Sequence, residues 1–240
     1  MNKLSAQHLV AHRGWQLRYP ENSRSAILAA IAAGVRYIEV DIQFSRDGVP
    51  ILCHDVQLQR LTGKSLSIFD LDADQLQQVY CSEPSRLSTQ FPVEAFMNTT
   101  QLMAIAKANP SCHFYIELKE ESIEHFGLDY CLEALDNLLL ENCSLISFSL
   151  AAIEKAKQQY NFAKAGLVTR DWQGREAAVQ KSASDFIFIK QDYLPDEGLL
   201  LCSVPVCVYE IADKDLALSL LQRGASQIES FDAAGLLRQA

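Results

Sequence analysis

With 240 residues, 49% of them hydrophobic and 21% charged, the chain has the makeup of a globular protein with a large core, and single α/β barrels commonly have about this length. Its 30 Asp and Glu against 21 Lys and Arg leave a net charge of -9, which speaks against a nucleic-acid partner, because such proteins present a basic face. No apolar run approaches the roughly 18–20 residues of a membrane span, and the polar segment Met1–Gln7 lacks the apolar core of a signal peptide, so a cytoplasmic protein without stable membrane insertion is expected.

Leu9-Val10-Ala11 reads as a short apolar strand ending in His12-Arg13-Gly14. Pro20-Glu21-Asn22-Ser23 is a helix-start signal ahead of an alanine-rich run to Ala33, with Asn22 or Ser23 as the cap and Gly34 as the stop. Strand Tyr37–Ile42 follows and completes a βαβ unit. Within it Glu39 and Asp41 stand two apart, so they face one way from an otherwise apolar strand. Packed like charges need a cation or protons between them. Arg46-Asp47-Gly48 turns the chain, and the apolar run Val49–Cys53 delivers His54 and Asp55 at its end. The link from Gln43 to Val49 is too short for a crossover helix of about a dozen residues, so these strands form a hairpin or the barrel is irregular there.

From Val56 to about Thr99 the pattern loosens. Thr62-Gly63-Lys64, Pro84, Ser85, Ser88 and Pro92 interrupt it, and only short helical pieces such as Ala73–Val79 emerge. Such an excursion reads as a small insertion subdomain, about 56–99, within a single barrel domain spanning 1–240. Regular alternation then resumes. Strands His113–Lys119, Ser144–Phe148, Ala163–Thr169, Asp185–Lys190 and Val204–Ile211 alternate with helices Thr100–Ala108, Glu124–Leu140, Leu150–Gln159, Gly174–Ser182, a helical piece near Asp196–Cys202, and Lys214–Gln222. Ser226–Ser230 makes one more short strand. Repeated βα units with near-continuous apolar strands predict a parallel sheet with helices outside it, and their number favours a closed TIM (β/α)8 barrel. Nine candidate strands compete for eight places, and the extra one is either the arm near residue 50 or the last strand. The seven cysteines are scattered without a CxxC pair, as buried small hydrophobes in a reducing compartment would be.

A barrel keeps its active site at the C-terminal ends of its strands, and the polar residues collect there. Strand one ends with His12 and Arg13, strand two carries Glu39 and Asp41, the next run ends with His54 and Asp55, and Glu117 and Lys119 share one face of a later strand. Glu39, Asp41 and Glu117 are hard oxygen donors suited to Mg2+ or Ca2+ rather than zinc. Arg13 and Lys119 suit an anion. Two histidines suit a proton acceptor and a proton donor near neutral pH. Together these parts describe phosphoester cleavage. Singly, each has a blander reading: Glu39 and Asp41 as partners of Arg36 or Arg46, Glu117–Lys119 as an ordinary ion pair, Arg13 and Arg60 as solvated charges. Their joint occurrence at successive strand ends is harder to assign to chance. His8, His113 and His125 read as structural or exposed, Asp47 as a turn residue, and Trp15, Trp172 and Tyr209 as core at least as readily as pocket. Asp171-Trp172 and Lys190 are weaker site candidates.

At this point the chain resembles a known family. His12-Arg13-Gly14, Pro20-Glu21-Asn22-Ser23, Ile38-Glu39-Val40-Asp41, Ser45-Arg46-Asp47-Gly48-Val49-Pro50, His54-Asp55 and Arg60-Leu61-Thr62-Gly63 are similar, in order and spacing, to the signature of the glycerophosphodiester phosphodiesterases of the bacterial cytoplasmic type. Glu117-Leu118-Lys119 resembles that family's downstream Glu-x-Lys, and Ser147-Phe148 its Ser-Phe. The resemblance implies a TIM barrel with an insertion after the His-Asp motif and one divalent cation, Mg2+ or Ca2+, held by Glu39, Asp41 and Glu117. It implies His12 and His54 as the acid/base pair and Arg13 and Lys119 on the phosphate. The implied reaction is metal-dependent hydrolysis of glycerophosphodiesters to sn-glycerol 3-phosphate and an alcohol. Two stretches depart from the pattern. Val208-Tyr209 stands where the family often has Trp, and Gly224 to Phe231 replaces its Ile-Thr-Asp-like last strand. These departures are expected to touch the pocket wall and the alcohol-side specificity, not the metal or the histidines. Two other readings stay open, a lysophospholipase D-like enzyme with an apolar mouth and a non-catalytic barrel that binds a polyol phosphate; a homodimer is also left open.

Overall fold

The computed structural model describes residues 4–87, 94–136 and 140–239. In chain order its strands are β1 (Leu9–Ala11), β2 (Tyr37–Phe44), β3 (Pro50–Leu52), β4 (Tyr80–Cys81), β5 (Glu94–Ala95), β6 (His113–Leu118), β7 (Cys143–Ser147), β8 (Ala165–Thr169), β9 (Ile187–Lys190), β10 (Val206–Tyr209) and β11 (Gln227–Ser230). All but three of these pair in parallel around a ring that runs β1-β2-β6-β7-β8-β9-β10-β11 and returns to β1. Closure rests on β1, which pairs on both sides: Val10 lies opposite Tyr37 of β2, and Leu9 opposite Ile228 of β11. The arm near residue 50 is the extra strand. There β3 runs antiparallel to the outer end of β2, with Ile42 opposite Leu52 and Phe44 opposite Pro50. The last strand, β11, belongs to the barrel.

The helices are α1 (Arg24–Ala32), α2 (Gln59–Thr62), α3 (Ala73–Leu76), α4 (Thr99–Ala108), α5 (Glu120–Phe126), α6 (Leu128–Asp136), α7 (Leu150–Gln159), α8 (Arg175–Ser182), α9 (Lys214–Arg223) and α10 (Ala233–Arg238). Local chemistry sets their starts. Ser23, rather than Asn22, caps α1 by accepting from the Ala26 amide at 3.1 Å. Asn98 and Gln101 cap α4 reciprocally, each backbone amide donating to the other's side chain at 3.0 Å. Gly14, at φ +80°, lets the loop after β1 fold onto α1; a Cβ there would stand 2.7 Å from the Ala26 carbonyl carbon.

Two helix expectations need correction. The single helix over Glu124–Leu140 is instead α5 and α6, because Gly127 at φ +88° ends the first; residues 137–139 of that expectation, like Ser88 and Pro92 of the loose stretch, lie outside the described residues. Asp196–Cys202 is not helical. A 3-10 turn covers Gln191–Tyr193, and an irregular segment follows. Pro195 and Gly198 interrupt it, and its carbonyls are taken by cations: Arg223 Nε donates to Gly198 O at 2.8 Å and Arg175 Nε to Leu201 O at 3.0 Å.

The core has three parts. The largest lies between the outward faces of the strands and the helices, and includes Ile38, Val40 and Ile42 of β2 and Leu145 of β7. A second fills the inside of the barrel with Val10, Tyr115, Ile146, Val168, Phe186, Phe188 and Cys207. A third packs Ile51, Cys53, Leu58, Leu61, Ile68, Leu76 and Phe96 beneath the segment between β3 and α4. Burying each large side chain of this kind contributes about 1.5–3 kcal/mol. The middle cluster plugs the barrel, so the chemistry is confined to its rim.

Candidate active site

Period-two alternation turns every second residue of the ring strands inward. On β2 this selects Glu39 and Asp41, on β6 Tyr115 and Glu117, and on β11 Glu229. Register then sets neighbours: Asp41 lies opposite Glu117, and Val10, two before His12, lies opposite Glu229. The result is a cavity of about 360 Å³ at the C-terminal rim, lined by His12, Arg13, Glu39, His54, Glu117 and Lys119 among others. Asp41, fully buried, sits against it through Arg13 and Lys119. All seven expected site residues therefore come together.

The acidic cluster is held apart by cations. Arg13 brings Nε to 2.9 Å from Asp41 Oδ2 and donates from Nη1 to Glu21 Oε1 at 3.0 Å. Lys119 Nζ donates to Glu117 Oε1 at 2.6 Å and to Asp41 Oδ1 at 3.4 Å. Asn22 grips Asp41 twice, its amide donating to Oδ2 at 2.9 Å while its carbonyl accepts from the Asp41 amide at 3.1 Å. Burial works against charge on Asp41, but Arg13 and Lys119 outweigh it and hold the carboxyl far below its ordinary range. Glu39 is less well served. The Arg13 amide donates to its Oε2 at 3.0 Å, while Oε1 is buried without a partner. Burial, then the charge of Asp41, pushes the Glu39 carboxyl upward, and burial likewise raises Glu117 against the pull of Lys119. One oxygen from each of Glu39, Asp41 and Glu117 lies within 4.8 Å of the others. An all-oxygen set with an orphaned buried carboxylate oxygen fits a hard divalent cation.

The two histidines are fixed differently. His12 stacks on Phe231 with ring centroids 4.6 Å apart, and its Nε2 lies 3.8 Å from Glu39 Oε2. Burial first, and then Arg13, holds its pKa well below the usual histidine value. His54 Nδ1 lies 2.6 Å from Asp55 Oδ1. Arg60 Nε donates to the other Asp55 oxygen at 2.7 Å, and its two terminal nitrogens grip both oxygens of Glu21 at 2.7 and 2.8 Å. Burial opposes charge on Asp55, yet the hydrogen bonds from His54 and Arg60 prevail and keep it ionised far below the ordinary range. One continuous network thus runs from His54 through Asp55, Arg60 and Glu21 to Arg13.

Several sequence readings change here. The partners of Glu39 and Asp41 are not Arg36 or Arg46; Arg46 is tied to Asp72 at 2.7 Å on the surface. Asp47 does serve its turn, accepting from Ser45 Oγ at 2.6 Å. Lys190 and Tyr209 reach the cavity, whereas Asp171 accepts from the Gly174 amide ahead of α8, and Trp15 is anchored by Asp232 at 2.7 Å. Glu21, Asn22 and Arg60 appeared only as motif letters or solvated charges, and Glu229 was not singled out at all. Glu229 corrects the expectation for the last strand. It is buried, lines the cavity, and offers a ligand atom within 4.8 Å of both His12 and Glu39, so the departure there reaches the histidine and the metal cluster. The period-two placement of Gln227 and Glu229 was the available signal.

A sequence model of the glycerophosphoryl diester phosphodiesterase family matches residues 12–191, well over half of the chain. The chain belongs to this family. Among named relatives, human glycerophosphodiester phosphodiesterase 1 is 28% identical over 198 residues, 78% of this chain and 58% of its own length. The rat enzyme of the same name is 30% identical over 172 residues, 68% of this chain and 49% of its own. The family chain described here thus spans about half the length of these relatives. Among solved structures, an Oleispira antarctica phosphodiesterase in complex with the product sn-glycerol-3-phosphate superposes with a TM-score of 0.80 at 21% identity, covering 96% of this chain and 95% of that one. A Silicibacter pomeroyi protein described as a glycerophosphoryl diester phosphodiesterase gives 0.81 at 15% identity over 97% and 93%. Both share the barrel fold. No helix among the described residues is long and apolar enough to cross a membrane.

Proposed function

We propose that this chain hydrolyses glycerophosphodiesters to sn-glycerol 3-phosphate and an alcohol. The observation that carries the reading is the meeting of two histidines from separate strand ends around one cavity, with a carboxylate cluster and two cations between them, in a chain of this family. Glu39, Asp41 and Glu117 would hold one Mg2+ or Ca2+, and the bound ion would draw charge off a phosphoryl oxygen and acidify an oxygen nucleophile. Arg13 and Lys119 present their charge to the phosphate from the same wall, Arg13 as a planar fork. One histidine takes the proton of the attacking hydroxyl, which belongs to water or to the substrate's own glycerol; in the second case the product of this step is a cyclic glycerol phosphate, which water then opens to sn-glycerol 3-phosphate. The bond from phosphorus to the departing alcohol breaks, and the other histidine protonates that alkoxide. Burial disfavours charge on His12, which suits an acceptor, and Asp55 occupies Nδ1 of His54, a residue that lines the cavity.

The opposite wall is apolar, with Ile146, Phe148, Val168 and Phe188, which also favours a lysophospholipid as substrate. Assays of glycerophosphocholine against lysophosphatidylcholine, with EDTA and then with Mg2+ or Ca2+ restored, separate the two. His12→Ala and His54→Ala are each expected to lose about 10²–10⁴-fold in rate with an unchanged circular dichroism spectrum. Full activity in either variant refutes the acid/base assignment.

A further inference from the structure

Four carboxylates face the rim: Glu39, Asp41 and Glu229, which are buried, and Glu117, which is partly exposed. Arg13 pairs with Asp41, and Lys119 with Glu117 and Asp41. Asp41 and Glu117 have their cations. Glu39 and Glu229 do not: Oε1 of each is buried without a hydrogen-bond partner, and so is Nδ1 of His12. These three side chains, each under a tenth exposed, bring one ligand atom apiece to within 4.8 Å of one another. They form a group separate from Glu39, Asp41 and Glu117, with Glu39 common to both.

We propose that His12, Glu39 and Glu229 form a second cation position, distinct from the Mg2+ or Ca2+ position proposed above and joined to it through Glu39. Its donor set differs in kind. An imidazole nitrogen with two carboxylates suits Zn2+ or another late divalent ion of the first transition row, whereas the all-oxygen set suits Mg2+ or Ca2+. An ion at the second position takes a lone pair of His12, the ring that the proposed reaction needs for proton transfer. Zn2+ bound there is therefore an inhibitor of the Mg2+-supported reaction. The inference rests on the proposed role of His12 for this inhibition but not for the binding itself. What a Gln at position 229 would remove is one anionic ligand, with little change of volume.

The probe is Zn2+ alone, titrated calorimetrically into metal-free protein. The wild type is expected to take up one equivalent more than Glu229→Gln. The double variant Asp41→Asn/Glu117→Gln keeps the second position and is expected to take up one. In histidine-detected NMR, Zn2+ shifts the His12 ring signals of the wild type and of the double variant, but not those of Glu229→Gln. In turnover with Mg2+ saturating, the Zn2+ concentration for half inhibition rises roughly 10–100-fold on Glu229→Gln, each variant referred to its own uninhibited rate. A Glu229→Gln protein whose Zn2+ stoichiometry and His12 shifts match the wild type overturns the proposal. In that outcome a double variant that binds no Zn2+ leaves the Glu39–Asp41–Glu117 position standing, whereas a wild type that binds neither Zn2+ nor Mg2+ brings down both. Should Glu229→Gln fail to fold, the double variant's stoichiometry and His12 shifts decide alone.

Discussion

His54 has one ring nitrogen committed to Asp55 at 2.6 Å, and Asp55 has its other oxygen committed to Arg60 at 2.7 Å. A carboxylate in that place fixes the tautomer and the orientation of the ring. Asp55→Asn is therefore expected to lower kcat by roughly 10–100-fold, with KM and the thermal midpoint nearly unchanged; steady-state kinetics beside a melting curve check this, and a loss confined to KM would count against a positioning role. Strand periodicity makes Glu39, Asp41 and Glu117 legible in the sequence, because charges two apart on apolar strands share one face and recur at successive strand ends. It cannot show what those charges meet. Asn22 looks like a helix cap and is a clamp on Asp41, a contact 19 residues away. Glu229 lies on a strand with weak pattern, and only closure of the ring sets it beside the first strand.

At the scale of elements, the barrel and its site are joined by the hairpin of β2 and β3. Strand β2 carries Glu39 and Asp41 inside the ring, then runs past the rim to pair with β3, which ends just before His54. The short link from Gln43 to Val49 is thus a hairpin, which keeps Asp41 and His54 at one mouth, and the Cys53 amide donates to the Asp41 carbonyl at 3.0 Å. The alternating βα pattern made the ring readable, since each strand is a short apolar run between capped helices. The irregular segment after Tyr193 was not, because its shape comes from Arg175 and Arg223, side chains on other elements. Across the rim, Arg60 on α2 ties the β3–α4 segment to Glu21 and Asp55 at once. An ammonium cannot reproduce that fork. Arg60→Lys is accordingly expected to behave like Arg60→Ala, with both losing about tenfold or more in kcat while the barrel's far-ultraviolet spectrum stays intact. Rescue of kcat by Lys would show that charge alone suffices.

For the molecule as a whole, the rim concentrates negative charge on a scaffold that buries it. A cation bound to the folded state but not to the unfolded chain adds about 2.7 kcal/mol at a hundred times its Kd. For a chain of this size that corresponds to a rise of roughly 5–10 °C in the thermal midpoint. Differential scanning calorimetry is expected to show that rise on adding Mg2+ or Ca2+ to EDTA-treated protein, and to show none for Asp41→Asn/Glu117→Gln. An equal rise in the variant would place the ion elsewhere.

The ring closes between the first strand and the last, and Trp15 and Asp232, 217 residues apart, hydrogen-bond across that seam. His12 owes its place to the same junction, through Phe231 stacked on its ring. Contacts of such sequence separation carry the largest loop-closure cost and form late. A ribosome releases β1 well before β11, which lies more than 200 residues further on. Between those two events the nascent polypeptide holds His12, one of the two site histidines, without the seat that orients it. Competence for the proposed chemistry arrives with the final strand, in one step, rather than growing with length.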